Sequence, residues 1–135
     1  MRQFLPEVFV QRALAAHLYM LGYQVREEVC FGNFRLDIVA FKDSRVLGFE
    51  VKLHSWGRAL QQVQIYKLCC DEVYVALPSA NLASSIEGRC LTGGVGLVTL
   101  GPPPDWEFSL ILEAPLSRLK NPLHHANIQQ AAAFI

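Results

Sequence analysis

The segment Val46-Leu-Gly-Phe-Glu-Val-Lys-Leu53 determines how the rest of the sequence is interpreted, because it carries two charges inside an apolar, strand-like run. Side chains alternate between the two faces of a strand, so Glu50 and Lys52 project from the same face. An apolar run of this kind is normally buried, and buried charge is costly unless it is paired or bound to a metal. The pattern therefore predicts a strand whose charges serve chemistry.

A second acid, Asp37, lies in the preceding strand-like run, residues 34–41. If the two runs form a hairpin around residues 42–45, Asp37 falls opposite Glu50. Opposed side chains in such a ladder are roughly 5 Å apart at Cβ. Two carboxylates at that distance repel by about 3 kcal/mol at an effective dielectric of about 20. A divalent cation between them would reverse the sign of that interaction.

The donor atoms of this predicted site are all oxygens, which favours Mg²⁺ or Mn²⁺ over zinc. Lys52 lies on the same face, one pleat beyond Glu50. Its ammonium could hold or activate a water molecule, or stabilise negative charge that develops at phosphorus.

The remaining pattern predicts an α/β fold, with a mixed central sheet flanked by helices. We expect a single domain over residues 1–120, while residues 121–135 are left open as a short helix, a partner-binding tail or a frayed end. Pro6 suits a helix start and Gly22 a helix end. The expected helices cover residues 6–21, 56–70 and 81–91, and the expected strands cover residues 23–31, 34–41, 46–53, 73–77, 95–100 and 106–113.

Composition limits the class of protein. The chain has 135 residues, of which 52% are hydrophobic and 18% charged, so a compact core is expected. No apolar run is long enough for a membrane span, and Glu7, Gln11 and Arg12 interrupt any signal-peptide core. The four cysteines show no CxxC spacing, which favours reduced thiols in a cytoplasmic protein.

Net charge is zero, but the charges are unevenly distributed. Residues 1–67 carry nine Lys/Arg against six Asp/Glu, and residues 68–135 carry three against six. A polyanion would therefore meet the first half of the chain. His17 is expected to be structural, and His124-His125 is a weak metal-binding candidate.

A helix with an acid, then Asp37, then Glu50-Val51-Lys52 and a further helix resembles the PD-(D/E)xK nuclease superfamily, which has the restriction-endonuclease-like αβββαβ core. Leu36 stands where the family has proline before the aspartate. The resemblance covers roughly residues 5–78. Two further matches are Glu7, for the acid of the first helix, and Gln62-Val-Gln-Ile-Tyr66, for the QxxxY element of RecB-type members.

The resemblance implies a metal-dependent deoxyribonuclease, similar to small junction-resolvase or repair-type members. Asp37 and Glu50 would bind Mg²⁺, with Val51 lending its carbonyl, Glu7 supporting the metal and Lys52 serving the attacking water. Gln62 would position the site. The residues expected to contact nucleic acid are Arg35, Arg58, Tyr66 and Lys67.

Two alternatives of the same fold remain open, a non-catalytic nucleic-acid-binding module and a nuclease subunit that needs a protein partner. The neutral net charge suits the second, because isolated DNA binders are usually more basic. The sequence contains neither a basic recognition helix nor a zinc finger, which favours structure-directed or repair-type cleavage over sequence-specific restriction. A homodimer is expected, with residues 106–113 or the C-terminal segment as its interface.

Overall fold

Six strands form one mixed sheet, with four helices on its faces, in the computed structural model, which describes residues 6–53, 56–78 and 80–133. The predicted helix-flanked α/β core is confirmed. In chain order the elements are α1 (Glu7–Met20), β1 (Gln24–Phe31), β2 (Phe34–Lys42), β3 (Arg45–Val51), α2 (Trp56–Tyr66), β4 (Glu72–Leu77), α3 (Ala80–Gly93), β5 (Gly96–Leu100), β6 (Phe108–Leu112) and α4 (Pro122–Ala133).

Strand order in the sheet follows chain order from β1 to β6. The first three strands are antiparallel neighbours, and β6 is antiparallel to β5. The pairs β3–β4 and β4–β5 are parallel, with α2 and α3 as the crossover connections. The parallel pairing expected for the strand after α2 is therefore present.

A two-residue loop sets the register of the β2–β3 hairpin. Asp43 and Ser44 have φ values of 52° and 66°, the left-handed conformation that tight hairpin loops require. Phe41 pairs with Val46, as predicted, although each strand is one residue longer at the turn than the sequence indicated. Continuing this register brings Asp37 and Glu50 side by side.

Helices cover both faces of the sheet. Helix α1 packs on one face, where the fully buried Val10 and Leu14 lie in the same cluster as Phe49. The opposite face is covered by α2, α3 and α4, whose buried contacts include Val63 and Ile128. We call these the α1 side and the α2 side of the sheet.

The β1–β2 hairpin changes its orientation halfway along. Ile38 and Ala40 pack on the α1 side, whereas Leu36 packs on the α2 side, although strict alternation would put all three together. At this point Glu28 lies opposite Asp37 and has a φ of 55°. The two residues do not pair, so the β1–β2 ladder is interrupted there. The distal half of the hairpin therefore turns towards the α2 side.

Helix α2 ends at Tyr66, four residues earlier than predicted. The next carbonyls are used by a distant segment: Ser117 Oγ donates to the Lys67 oxygen at 2.8 Å, and the Asn121 amide donates to the Leu68 oxygen at 2.9 Å. These long-range bonds replace the helical ones. Strand β3 likewise ends at Val51 and not at residue 53.

Asp71 connects the C-terminal segment to the sheet. Its carboxylate accepts hydrogen bonds from the Val46 amide at 2.7 Å and from Lys120 at 2.5 Å, and it lies 3.1 Å from His125 Nε2. Burial opposes ionisation of this carboxylate, but the bonds from Lys120, Val46 and His125 lower its pKa. Helix α4 is thereby docked on the sheet, with Ile128 fully buried.

No helix within the described ranges 6–53, 56–78 and 80–133 has both the length and the apolar content needed to cross a membrane.

Gly96 lies where strand β5 passes a tyrosine ring, and an alanine there should destabilise the protein. A Cβ at residue 96 would overlap the Tyr74 ring and lie 2.9 Å from the Ala114 backbone nitrogen. We expect Gly96→Ala to lower the free energy of unfolding by about 1–3 kcal/mol or more, measured by urea denaturation.

The matched control is Gly88→Ala, at an exposed position of α3 where a Cβ meets no described atom within 4 Å. Because alanine favours helix, this variant should be unchanged or more stable by up to about 1 kcal/mol. Equal stability of the two variants would contradict the packing described for Gly96.

Candidate active site

An open cleft of about 550 Å³ lies on the α2 side, beside the end of β3. It gathers side chains from α1, the β1–β2 hairpin, β3 and α2. Seven of the predicted site residues line it together, and Tyr66 forms part of its wall. The lining residues are Glu7, Asn33, Phe34, Arg35, Asp37, Glu50, Lys52, Arg58, Gln61, Gln62, Ile65 and Tyr66.

Asp37 and Glu50 lie next to each other across the β2–β3 hairpin at the centre of the cleft, close enough for each carboxyl group to affect the pKa of the other. Asp37 Oδ2 also accepts a hydrogen bond from the Val51 amide at 2.9 Å. Burial, followed by the charge and hydrogen bond of Asp37, raises the pKa of Glu50 to about 8. Burial also raises the pKa of Asp37. Without a cation, burial and mutual repulsion thus favour the protonated form of the pair.

Tyr66 contacts this pair from α2 through a hydrogen bond to Glu50. Its side chain is buried, and its hydroxyl lies 2.5 Å from Glu50 Oε2 and 3.1 Å from the Arg35 carbonyl oxygen. Burial and the charge of Glu50 raise the pKa of the phenol well above its usual value. The sequence predicted that Tyr66 contacts nucleic acid; the structure corrects this, because the buried hydroxyl is engaged with Glu50.

Lys52 and Glu7 reach the cleft from just beyond β3 and from the first turn of α1. Lys52 Nζ lies 4.0 Å from Glu50 Oε1, with its side chain 23% exposed, so it meets both the acid pair and solvent. Glu7 Oε1 accepts a hydrogen bond from the Leu53 amide at 3.4 Å. This bond fixes the start of α1 next to the segment that follows β3.

Gln62 lies on the α2 wall of the cleft with a buried side-chain oxygen. Within the described part of the chain, this Oε1 has no hydrogen-bond partner. An unpaired buried acceptor is costly, so the position suits a donor brought by a ligand or a water molecule. The glutamine is thus located where the sequence predicted a positioning residue.

Arg35 and Arg58 give the cleft a positive rim, and both are exposed. Arg35 Nε is held by Glu28 Oε2 at 2.9 Å. Lys67 was expected to join them, but it does not line the cleft. Its ammonium donates to the Gly93 carbonyl on the side of α3.

Sequence reasoning missed two contributors to this site, Glu28 and Phe34. The negative charge of Glu28 acts on Asp37, although it ranks below burial and hydrogen bonding among the effects on the pKa of Asp37. Phe34 lines the cleft and is 45% exposed. The Gly32-Asn33 turn could have indicated Phe34, because it puts this side chain at a hairpin tip.

The donor set fits a magnesium ion shared with a substrate. Across the described residues, no three His, Cys, Asp or Glu side chains come close enough to hold a metal by themselves. Mg²⁺ is often held by one or two carboxylates together with waters and substrate phosphates. Asp37 and Glu50 supply such a pair at the centre of the cleft.

Comparisons with known proteins find similar solved structures at low sequence identity. No protein-family model matches the chain, and no functionally curated protein matches it. A crystal structure of AF1548, a protein of unknown function, is similar with 16% identity and a TM-score of 0.43, over 73% of this chain and 61% of that one. Pyrococcus furiosus SfsA in complex with Ca²⁺ is similar with 12% identity and a TM-score of 0.42, over 81% and 61%.

The chain thus spans about three fifths of the length of each of these two solved structures. Likeness at this level does not assign an activity to the chain.

The raised pKa of Glu50 predicts a pH-dependent stability for the metal-free protein. Burial and the neighbouring Asp37 raise the pKa of this carboxyl to about 8 in the fold, against 4.5 for a glutamate exposed to water. Its protonated form is therefore favoured by folding, and this stabilisation is complete below about pH 4.5 and lost as pH rises through 8. We expect the free energy of unfolding to fall by a few kcal/mol between pH 5 and 8, measured by urea denaturation in EDTA.

Glu50→Gln keeps the shape of the side chain and removes its titration, so its stability should vary less over the same range. Addition of Mg²⁺ at pH 8 should restore the wild type more than the variant. Parallel curves for the two proteins would show that Glu50 does not carry the effect.

Proposed function

We propose that the protein is a metal-dependent endonuclease that hydrolyses DNA phosphodiester bonds. The observation that carries this proposal is the adjacent pair of carboxyl groups of Asp37 and Glu50, with Lys52 Nζ 4.0 Å from Glu50, in an open cleft with an arginine rim. A buried acid next to a half-buried one suits a divalent cation, because the two carboxylates repel each other, and a basic rim suits a polyanion. The residues also match the motif quoted from the sequence.

In this proposal Asp37 and Glu50 hold Mg²⁺ or Mn²⁺, with the Val51 carbonyl and Glu7 in support. The bound ion would neutralise charge on the phosphoryl oxygens during displacement. Lys52 orients the attacking water and stabilises the charge that develops at phosphorus. The Gln62 oxygen accepts a hydrogen bond from a water molecule in the cleft.

The hydrolysis is a single in-line displacement. The water oxygen forms a bond to phosphorus while the opposite phosphorus–oxygen bond of the strand breaks. The water loses one proton to solvent and keeps the other on the oxygen now bonded to phosphorus, and the departing oxygen takes up one proton from solvent. Tyr66 keeps Glu50 in place throughout, because its hydroxyl lies 2.5 Å from the carboxylate.

Arg35 and Arg58 are the proposed phosphate contacts. They are exposed at the cleft and belong to the half of the chain with excess positive charge. We propose a structure-directed role in repair or recombination.

A second copy of the chain would supply a site for the second strand. The exposed Leu110 on the edge strand β6 and the exposed Leu116, Leu119 and Leu123 are the proposed contact positions. A stable monomer on DNA, seen by light scattering, would remove the homodimer from the proposal.

A nuclease subunit activated by a protein partner is the second candidate function. The zero net charge favours it, because a protein that binds DNA alone usually carries excess positive charge. In that case the same cleft would cut only after a partner supplies further contacts to the nucleic acid.

Replacing Lys52 should abolish cleavage without unfolding the protein. We expect Lys52→Ala to lower the rate of DNA cleavage in Mg²⁺ by at least about 100-fold, because the charge next to the reacting phosphate is lost. Asp37→Asn and Glu50→Gln should do the same and weaken the response to added metal. The assay uses single-stranded, duplex and branched DNA with and without Mg²⁺ or Mn²⁺.

Arg12→Ala is the matched control, because it removes a positive charge that is exposed on α1 outside the cleft lining. Its cleavage rate should equal that of the wild type. Absence of metal-dependent cleavage with every substrate would overturn autonomous nuclease activity. Activity that appears only with cell extract would favour the partner-activated subunit.

A further inference from the structure

Phe34 is an aromatic side chain presented to solvent inside the polar cleft. It is 45% exposed and lines the same cavity as Asp37, Glu50 and Lys52. Other large apolar side chains are more exposed, such as Phe9 and Tyr19 on α1, but these do not line the cleft. The feature that calls for explanation is therefore the location of Phe34, next to the acid pair.

The fold holds Phe34 firmly in this location. It is the first residue of β2, directly after the Gly32-Asn33 turn, and it pairs across the ladder with Phe31. Phe31 in turn packs against the core and meets the His124 ring edge-on, with centroids 5.3 Å apart. The ladder and the packing of Phe31 therefore fix the backbone position from which the Phe34 side chain enters the cleft.

The turn of the hairpin towards the α2 side brings this residue to the cleft. Leu36 packs on the α2 side, where strict alternation from Ile38 would not put it. The change occurs at Glu28, whose backbone has a φ of 55°. Left-handed backbone at a residue other than glycine is costly, and outside tight turns such residues cluster at functional sites.

The neighbours of Phe34 suit a nucleotide. Arg35, the next residue, is held by Glu28 at the rim, and Arg58 lines the same cleft from α2. A positive groove with an aromatic platform is the combination that binds single strands, with phosphates on the cations and a base on the ring. A base inside an intact duplex is already stacked on both faces, so only an unpaired base can use the platform.

We infer that Phe34 stacks on an unpaired base next to the scissile phosphate, so that the substrate class is single-stranded DNA or the single-stranded part of a branched structure. The inference rests on the proposed nuclease function, because only a nuclease has a scissile phosphate. The stacking itself is independent of cleavage and can be measured by binding alone.

The test measures dissociation constants in EDTA, where no cleavage takes place, for a fluorescent single-stranded oligonucleotide and for the matching duplex. We expect Phe34→Ala and Phe34→Leu to weaken single-strand binding roughly tenfold, consistent with the loss of one stacked base. Phe34→Trp should bind at least as well as the wild type. Duplex binding should change less than twofold in all three variants.

Phe34→Leu keeps apolar bulk at the hairpin and so separates stacking from simple hydrophobic contact. Tyr19→Ala is the matched control, because it removes an aromatic side chain that is 73% exposed outside the cleft. It should leave both dissociation constants unchanged. Circular dichroism and urea denaturation establish that each variant is folded.

A series of oligonucleotides, each with one abasic position, completes the test. One abasic position should weaken wild-type binding about as much as Phe34→Ala does. Phe34→Ala should lose nothing further on that oligonucleotide, because the same contact is already absent. The Phe34→Trp protein should show tryptophan quenching by the intact strand and less quenching by the abasic one.

Two results would overturn the inference: unchanged single-strand binding by Phe34→Ala, or equal losses for single-stranded and duplex DNA. A change in oligomeric state with unchanged DNA binding would also overturn it and assign Phe34 to a protein contact. Stacking without metal-dependent cleavage would refute autonomous nuclease activity and leave the stacking contact intact, so the two failures are distinguishable.

Discussion

The repulsion between two neighbouring carboxyl groups is the constraint on which the site depends. Asp37 and Glu50 are adjacent because two antiparallel strands are in register, and burial makes their simultaneous ionisation unfavourable. Three neighbouring groups reduce the repulsion. The Val51 amide and the Tyr66 hydroxyl donate hydrogen bonds to the pair, and the Lys52 ammonium lies beside Glu50. The arrangement leaves room for one more positive charge, supplied by a proton or by a cation.

The end of a parallel strand explains why residues from both sides of the sheet meet here. Strand β3 stops at Val51, so α1, which packs on one face, can bring Glu7 around the end of the strand to the acids on the other. Helix α2 follows β3 and brings Gln62 to the cleft from the α2 side of the sheet, where the acids lie. Crevices at the carboxyl ends of strands are the usual binding sites of open α/β sheets. The cleft is thus a consequence of topology as much as of motif.

Much of this was accessible from sequence, because it depends on local pattern. The period-two runs and the short loop determined the register that joins Asp37 to Glu50, and alternating strands and helices determined the layering. The orientation of Tyr66 was not accessible, since it depends on contact with Glu50 and with the backbone of a strand about 30 positions away. The early end of α2 depends on Ser117 and Asn121, about 50 residues downstream. The turn in the β1–β2 hairpin depends on the left-handed backbone of Glu28. Glutamate has no preference for that conformation, so the sequence does not indicate it.

The Asp71 connection has a consequence for the order in which the chain matures on the ribosome. Strand β1 is translated before the other strands of the sheet, yet α4, which packs on it, is about 90 residues later in the sequence. Loop closure over such a distance is slow compared with the formation of local hairpins. The face of β1 on the α2 side therefore stays without its α4 contacts while the middle of the protein is synthesised. Its shielding is delayed until Lys120 and His125 emerge and engage Asp71.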